Sequence, residues 1–187
     1  MLWKKNFKGE ITYESFSCSR YAKWFCYRKS RNKRSQRNCS ECKEKIEKYF
    51  NNGEEIIFTR DTHYSNYLDT QEGKNLPVEH CIHGTTGWNV LEGLETPNCH
   101  YVDKNTFGWD QWKETLGKYN FDEVELIGVC TDICVVSNAL LIKALFPETK
   151  ITVDASCCAG VTPEKHNAAL EVMKSCQINV IGEESYD

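Results

Sequence analysis

The sequence predicts an α/β protein of three layers, in which helices cover both faces of a mostly parallel, doubly wound sheet. From residue 43 onward, short apolar runs of strand length alternate with longer segments of helical period. Strands that alternate with helices in this way form parallel sheets that are covered on both faces. A length of 187 residues suits one domain with a single substantial core.

The predicted elements follow one another in regular order. Residues 43–52 are the predicted end of a helix. They precede a buried strand at residues 55–59, which leads to Asp61 and a long loop. Thr162 is the expected N-cap of the last helix. The remaining predicted strands are residues 99–102, 124–129, 150–154 and 178–181, and the remaining helices are residues 109–119, 132–146 and 162–176.

Charge divides the chain into two segments, residues 1–42 and residues 43–187. The first carries 11 Lys and Arg against 3 Asp and Glu, and the second carries 12 against 24. A basic arm at residues 28–37 would suit nucleic acid, but it contains no recognised nucleic-acid-binding motif. Cys39 and Cys42 would suit half of a zinc site or a redox pair, but no second pair lies at metal-binding spacing. We therefore expect no nucleic-acid partner.

The eleven cysteines lie within apolar strand and helix patterns or at a strand-to-helix turn, so we expect reduced thiols. No run of about 18 apolar residues is present, and no apolar signal segment begins the chain. These observations predict a cytoplasmic protein with no membrane partner.

Three side chains with useful chemistry come at or just after predicted strands. They are Asp61, Lys104 and Cys134, and the carboxyl ends of parallel strands share one crevice. Cys134 falls in the first turn of a helix, where the helix dipole lowers the pKa of a thiol and backbone N–H groups can hold an oxyanion. An ammonium at Lys104 would stabilise the thiolate or orient a carbonyl substrate.

Asp61 and His63 stand two residues apart, and His80 follows in the loop. One carboxylate and two imidazoles leave open coordination positions, which suits zinc, iron or manganese. The other histidines, His83, His100 and His166, are expected to be surface or core residues.

Three segments resemble the isochorismatase-like cysteine hydrolases, and in particular their nicotinamidase-type branch: FTRDTHYSNYLDTQEGKNLPVEHCIHGTTGW, GVCTDICVVSNALL and VTPEKHNAALEVM. The resemblance implies an amidase that converts nicotinamide to nicotinate and ammonia. It makes Cys134 the nucleophile and Lys104 its triad partner, and it makes Asp61, His63 and His80 the ligands of a divalent metal. It also implies a cis peptide bond between Val129 and Cys130, with an oxyanion held by the N–H groups of Cys130 and Cys134. The resemblance implies no organic cofactor, and it is compatible with a homo-oligomer.

The N-terminal segment departs from this family, because residues 1–42 contain no strand that ends in the catalytic aspartate motif D-x-Q-x-x-F. Residues 13–42, back-translated with suitable codons and read one nucleotide later, can encode the family-like start MKVLVVVDMQNGF. We therefore interpret residues 1–42 as a frameshift product and residues 43–187 as the hydrolase domain. The aspartate's possible substitutes are Glu10, Glu14 and Asp103.

This departure predicts a degraded first central strand, for which residues 15–20 are a poor apolar substitute. It also predicts an impaired enzyme. Two alternatives stay open: an isochorismatase-like hydrolase of another substrate, and a pseudoenzyme without catalysis.

Overall fold

The computed structural model describes residues 2–4, 11–14, 33–97, 99–119 and 121–183. The strands are β1 (Leu2–Lys4), β2 (Ile11–Glu14), β3 (Glu54–Asp61), β4 (His100–Lys104), β5 (Glu123–Val129), β6 (Lys150–Ala159) and β7 (Asn179–Ile181). The α-helices are α1 (Lys33–Asn51), α2 (Gln71–Asn75), α3 (Trp112–Leu116), α4 (Val136–Leu145) and α5 (Pro163–Ser175). A short 3₁₀ helix, Tyr67–Asp69, precedes α2, and a π-helical turn, Thr131–Val135, precedes α4.

These strands form one sheet in the order β4-β3-β1-β2-β5-β6-β7. Every neighbouring pair is parallel except those that involve β1, which runs antiparallel to both β2 and β3. The carboxyl ends of β3, β4 and β5 therefore open toward the same edge of the sheet, where the predicted site residues lie.

Two apolar clusters cover the two faces of the sheet, which confirms the predicted three-layer class. One lies under α1, where Ile46 packs with Phe58 of β3. The other lies under α3, α4 and α5, where Trp112 and Met173 are fully buried against the strands. Burial of these side chains is the main favourable contribution to folding.

Several element bounds differ from the predicted ones for identifiable reasons. Helix α1 contains the helix end predicted at residues 43–52 and begins ten residues earlier, at Lys33. The predicted boundary between residues 42 and 43 therefore falls inside a helix, and it stays a prediction. The helix predicted at residues 109–119 is the single turn α3, which ends at Gly117. The helix predicted from residue 132 starts with the π-helical turn, and β6 continues to Ala159. Gly53, which follows α1, has a φ of 74°, a conformation that glycine adopts without steric cost.

The position predicted for a degraded central strand is occupied by two short strands, β1 and β2. Strand β2 pairs in parallel with β5, with Glu14 opposite Gly128. Residues 15–20, which we expected to be a poor apolar substitute for that strand, lie outside the described residues, as do residues 28–32 of the basic arm.

The described cysteines from Cys42 onward are free thiols, as predicted. Among the described residues, no helix has the length and apolar character needed to cross a membrane.

Candidate active site

The carboxylate of Asp61 contacts both of the other predicted site residues. Its Oδ1 accepts a hydrogen bond from Lys104 Nζ, and its Oδ2 lies 3.9 Å from Cys134 Sγ, which donates to it. Lys104 is only 1 % exposed and Cys134 is 6 % exposed. Nζ of Lys104 also donates to the Thr106 carbonyl at 3.3 Å. The structure thus places a thiol, a carboxylate and an ammonium in direct contact at the end of the sheet.

The turn that carries Cys134 leaves β5 through a cis peptide bond between Val129 and Cys130, as the family resemblance implies. The N–H groups of Ile133 and Val135 both donate to the Cys130 carbonyl at 3.1 Å. The chain therefore turns tightly from strand into helix around Cys134. The predicted oxyanion role of the Cys130 and Cys134 N–H groups remains a prediction.

The side chains of the first two residues of this turn form hydrogen bonds with α5 and with the loop before it. The hydroxyl of Thr131 shares a 2.8 Å hydrogen bond with Nδ1 of His166, and both side chains are buried. Oδ1 of Asp132 accepts a 2.8 Å hydrogen bond from the N–H of Val161. A Cβ at Gly160 would lie 2.8 Å from both Asp132 Oδ1 and His166 Cβ, so only glycine permits this close approach. His166, predicted as a core or surface residue, is therefore a buried support of the turn.

A candidate metal-binding group lies beside these residues in the long loop. One ligand atom from each of His63, Glu72 and His80 falls within 4.8 Å of the other two. Oε1 of Glu72 is 3.5 Å from Nε2 of both histidines. Two imidazoles and one carboxylate form a donor set that zinc and other divalent transition metals bind, with coordination positions left open.

Two details show that these residues fit a metal. Nε2 of His63 is buried and has no hydrogen-bond partner among the described residues, a costly state for a polar atom that a metal ion would relieve. Nδ1 of His80 is 2.8 Å from the Val78 carbonyl, to which it can donate. This contact leaves Nε2 of His80 as the lone-pair donor, the usual arrangement of a metal-bound histidine.

Burial and the nearby carboxylate affect the pKa values of the two histidines in opposite directions. Burial lowers the pKa of His63 and so keeps its imidazole neutral, despite the nearby Glu72. Burial opposes protonation of His80, but its hydrogen bonds and Glu72 outweigh burial and raise its pKa. Tyr67 packs against both rings, with centroids 4.7 and 4.9 Å away. Burial raises the pKa of Tyr67 to about 12, so its neutral hydroxyl donates to the Leu76 carbonyl at 2.9 Å.

The structure therefore divides the predicted residues between two neighbouring groups. His63 and His80 lie together, as predicted, but their carboxylate neighbour is Glu72, whereas Asp61 is engaged with Lys104 and Cys134. The sequence reasoning missed Glu72. The only available signal was a carboxylate between the two histidines in the same loop, too common a feature to single out.

The three possible substitutes for a catalytic aspartate have different positions. Asp103 accepts hydrogen bonds of 2.7 and 3.0 Å from the Arg60 guanidinium, with which it is paired. The backbone of Glu14 lies at the end of β2, in register with Gly128 next to the turn. Glu10 lies outside the described residues.

The fold and these side chains define an α/β protein with a cysteine at a strand-to-helix turn, facing a carboxylate and a lysine. The family model for the Isochorismatase domain matches residues 22–185, and the chain therefore belongs to the isochorismatase family. The isochorismatase family protein PncA of Bacillus subtilis (strain 168) is 28% identical over an alignment of 133 residues, and the match covers 65% of this chain and 71% of that protein.

Solved structures show the same fold. The nicotinamidase/pyrazinamidase PncA from Bacillus subtilis superposes with a TM-score of 0.76 at 20% identity, covering 94% of this chain and all of the other. The pyrazinamidase of Pyrococcus horikoshii, solved in complex with zinc, gives a TM-score of 0.72 at 22% identity, covering 94% and 98%. The N-carbamoylsarcosine amidase from Thermoplasma acidophilum gives 0.72 at 19% identity, covering 97% and 100%.

Proposed function

We propose that this chain is a cysteine-dependent amide hydrolase that acts on nicotinamide or a closely similar aromatic carboxamide. The observation that carries the proposal is the contact of the Asp61 carboxylate with both the Cys134 thiol and the Lys104 ammonium. A thiol beside a proton acceptor and a cation is the arrangement of an activated cysteine nucleophile. Two of the three solved structures named above are a nicotinamidase/pyrazinamidase and a pyrazinamidase, and these names support the substrate class.

In the first half of the proposed reaction, the Cys134 thiol gives its proton to the Asp61 carboxylate, which faces it. The thiolate sulfur then attacks the amide carbon. The oxygen of the tetrahedral intermediate gains negative charge, which the N–H groups of Cys130 and Cys134 and the Lys104 ammonium would stabilise. The carbon–nitrogen bond then breaks, and the leaving nitrogen takes the proton as ammonia. A thioester on Cys134 remains.

In the second half, water attacks the thioester carbon, the carbon–sulfur bond breaks, and the carboxylic acid leaves while Cys134 regains its proton. His63, Glu72 and His80 would hold a divalent metal beside this site. When bound, such an ion supplies a Lewis acid that orients a ring nitrogen or polarises a bound water.

We further propose that the chain is slower than an intact family member. In the described residues Asp61 is already paired with Lys104, and the aspartate of the family's N-terminal motif has no counterpart in residues 1–42. Loss of a positioned base costs about 10²- to 10⁴-fold in rate. We attribute the loss to a frameshift before residue 43, and we place the enzyme in the cytoplasm, where free thiols persist.

The test is release of ammonia from nicotinamide by the purified chain, after incubation with zinc, iron or manganese. Activity that disappears in Cys134→Ala and persists in Cys130→Ala supports the proposal, because Cys130 contributes only its backbone N–H. Activity that survives Cys134→Ala would overturn it. Activity only toward other amides would favour a different substrate, and no activity toward any amide would favour a pseudoenzyme.

The frameshift is tested by a second protein in which the alternative reading frame replaces residues 13–42. A rate at least about 100-fold higher in that protein is expected if the family aspartate is restored. Equal rates would show that the present chain already has a sufficient base, at Asp61 or in its own N-terminus, and would overturn the proposed impairment. Genomic sequence in which no related strain gains or lacks a base near codons 42 and 43 would also refute the frameshift.

A further inference from the structure

One buried amide connects the helix after the nucleophile to the segment after the lysine. Asn138 lies on α4, one turn beyond Cys134, and is fully buried. Its Nδ2 donates to the carbonyls of Cys134 at 2.9 Å and Phe107 at 3.0 Å. Its Oδ1 accepts from the N–H of Trp109 and from Nε1 of Trp112, both at 2.8 Å.

These four hydrogen bonds use the full capacity of the amide, which has two donor hydrogens and two acceptor lone pairs. Helix propensity does not explain the residue, because asparagine is unfavourable inside a helix. A buried polar group with every partner in place fixes the relative position of the segments that it joins. An apolar side chain of similar size would remove one hydrogen-bond partner from each of two carbonyls, a backbone N–H and an indole N–H.

The two segments that Asn138 joins carry the two ends of the candidate active site. Lys104 ends β4, and residues 105–111 follow it directly, with the Thr106 carbonyl accepting from Lys104 Nζ. The carbonyl of Cys134, the other partner of Asn138, belongs to the nucleophile itself. Asn138 thus lies between the lysine segment and the cysteine turn, although it contacts neither reacting group.

We propose that Asn138 is a positioning residue that sets the separation between the Lys104 ammonium and the Cys134 thiol. The proposal rests on the amide hydrolase function proposed above. A change in that separation alters the stabilisation of charge in the transition state more than it alters substrate binding, so the effect falls on kcat rather than on KM.

The experiment compares Asn138→Asp and Asn138→Ala with the control Ile142→Ala, which truncates a buried side chain one turn further along α4. Asn138→Asp keeps an acceptor for the two tryptophan donors and turns an oxygen toward the two carbonyls, and Asn138→Ala leaves room for water. We expect both Asn138 variants to lower kcat for nicotinamide at least about tenfold with KM within about twofold. Ile142→Ala should lower the melting temperature at least as much and keep kcat within about twofold.

An unchanged kcat in both Asn138 variants would overturn the proposal, as would a loss of kcat in Ile142→Ala that matches theirs. If the unmodified chain releases no ammonia, the function proposal fails but the positioning proposal is still testable. The rate of alkylation of Cys134 by iodoacetamide, read by mass spectrometry, should then change at least about threefold in both Asn138 variants and not in Ile142→Ala. Equal alkylation rates in all the proteins would overturn it.

Discussion

Asp61 and Lys104 are the last registered pair of the ladder between β3 and β4, and their side chains form an ion pair at the end of the sheet. Each residue is the last one of its strand, so the register of the parallel strands is enough to place the two residues side by side. Lys104 is almost completely buried, and a buried ammonium without a carboxylate partner is strongly destabilising. The pair therefore serves both the stability of the fold and the position of the charged groups beside Cys134.

Replacement of Asp61 tests which carboxylate serves the thiol. We expect Asp61→Asn to lower kcat for amide hydrolysis by about 100-fold or more, because the thiol loses the acceptor that faces it. Asp103→Asn should stay within about threefold, since Asp103 pairs with Arg60 instead. Steady-state ammonia release measures all variants. A larger loss in Glu14→Gln than in Asp61→Asn would instead identify Glu14, whose backbone lies beside Gly128, as the base.

Metal binding should depend on Glu72 as much as on the two histidines. We expect Glu72→Gln and His63→Ala each to weaken zinc binding at least about tenfold, because each removes one of three protein ligands. His83→Ala is the control, since His83 lies in the same loop but outside the group. Titration calorimetry with zinc alone provides the measurement, and no activity is required. Unchanged affinity in Glu72→Gln would show that the carboxylate does not bind the ion.

His166 on α5 supports the turn at residues 131–135, so we expect it to contribute to the stability of the fold. His166→Ala leaves the buried hydroxyl of Thr131 without this partner, so we expect a loss of about 1–3 kcal/mol in the free energy of unfolding. His100→Ala, at an exposed histidine, should change that free energy by less than about 0.5 kcal/mol. Urea denaturation of both variants measures the difference, and equal stabilities would contradict the support role.

A second ion-pair cluster anchors α1 on the other face of the sheet. Lys45 pairs with both Glu125 and Asp154, and Tyr49 donates to Glu125 at 2.8 Å. Burial raises the pKa of Glu125 even with Lys45 beside it. Burial opposes the charge on Lys45, but the two carboxylates outweigh burial and raise its pKa. The lysine thus neutralises negative charge that the fold has buried.

Lys45→Met should destabilise the protein by about 3–5 kcal/mol near neutral pH, because it leaves buried carboxylates without a cation. The pKa of Glu125 would then rise further, so the folded state would keep a proton that the unfolded state releases, and stability would fall as pH rises. We therefore expect a larger loss at about pH 8 than at about pH 5. Urea denaturation at both pH values tests this. Lys43→Met, which removes an exposed pair with Glu47, should cost less than about 1 kcal/mol at either pH.

Much of the fold could be predicted because its signals are local. The apolar run before Asp61, the strand before Cys130 and the capped helix after Thr162 each occupy a few consecutive residues, and their alternation specifies a parallel sheet. Helix ends were less accurate, because the π-helical turn before α4 and the early end of α3 at Gly117 depend on contacts with other elements.

The sequence by itself determined the class of fold, the family and the three residues Asp61, Lys104 and Cys134 that meet at the carboxyl edge of the sheet. Tertiary structure alone decided how they are shared: Asp61 faces the lysine and the thiol, and Glu72 joins His63 and His80. Tertiary structure also placed Asn138 within hydrogen-bond distance of the Phe107 and Cys134 carbonyls. The physical reason is that strand pattern fixes where a residue stands along the chain, whereas the direction and partner of its side chain depend on segments distant in sequence.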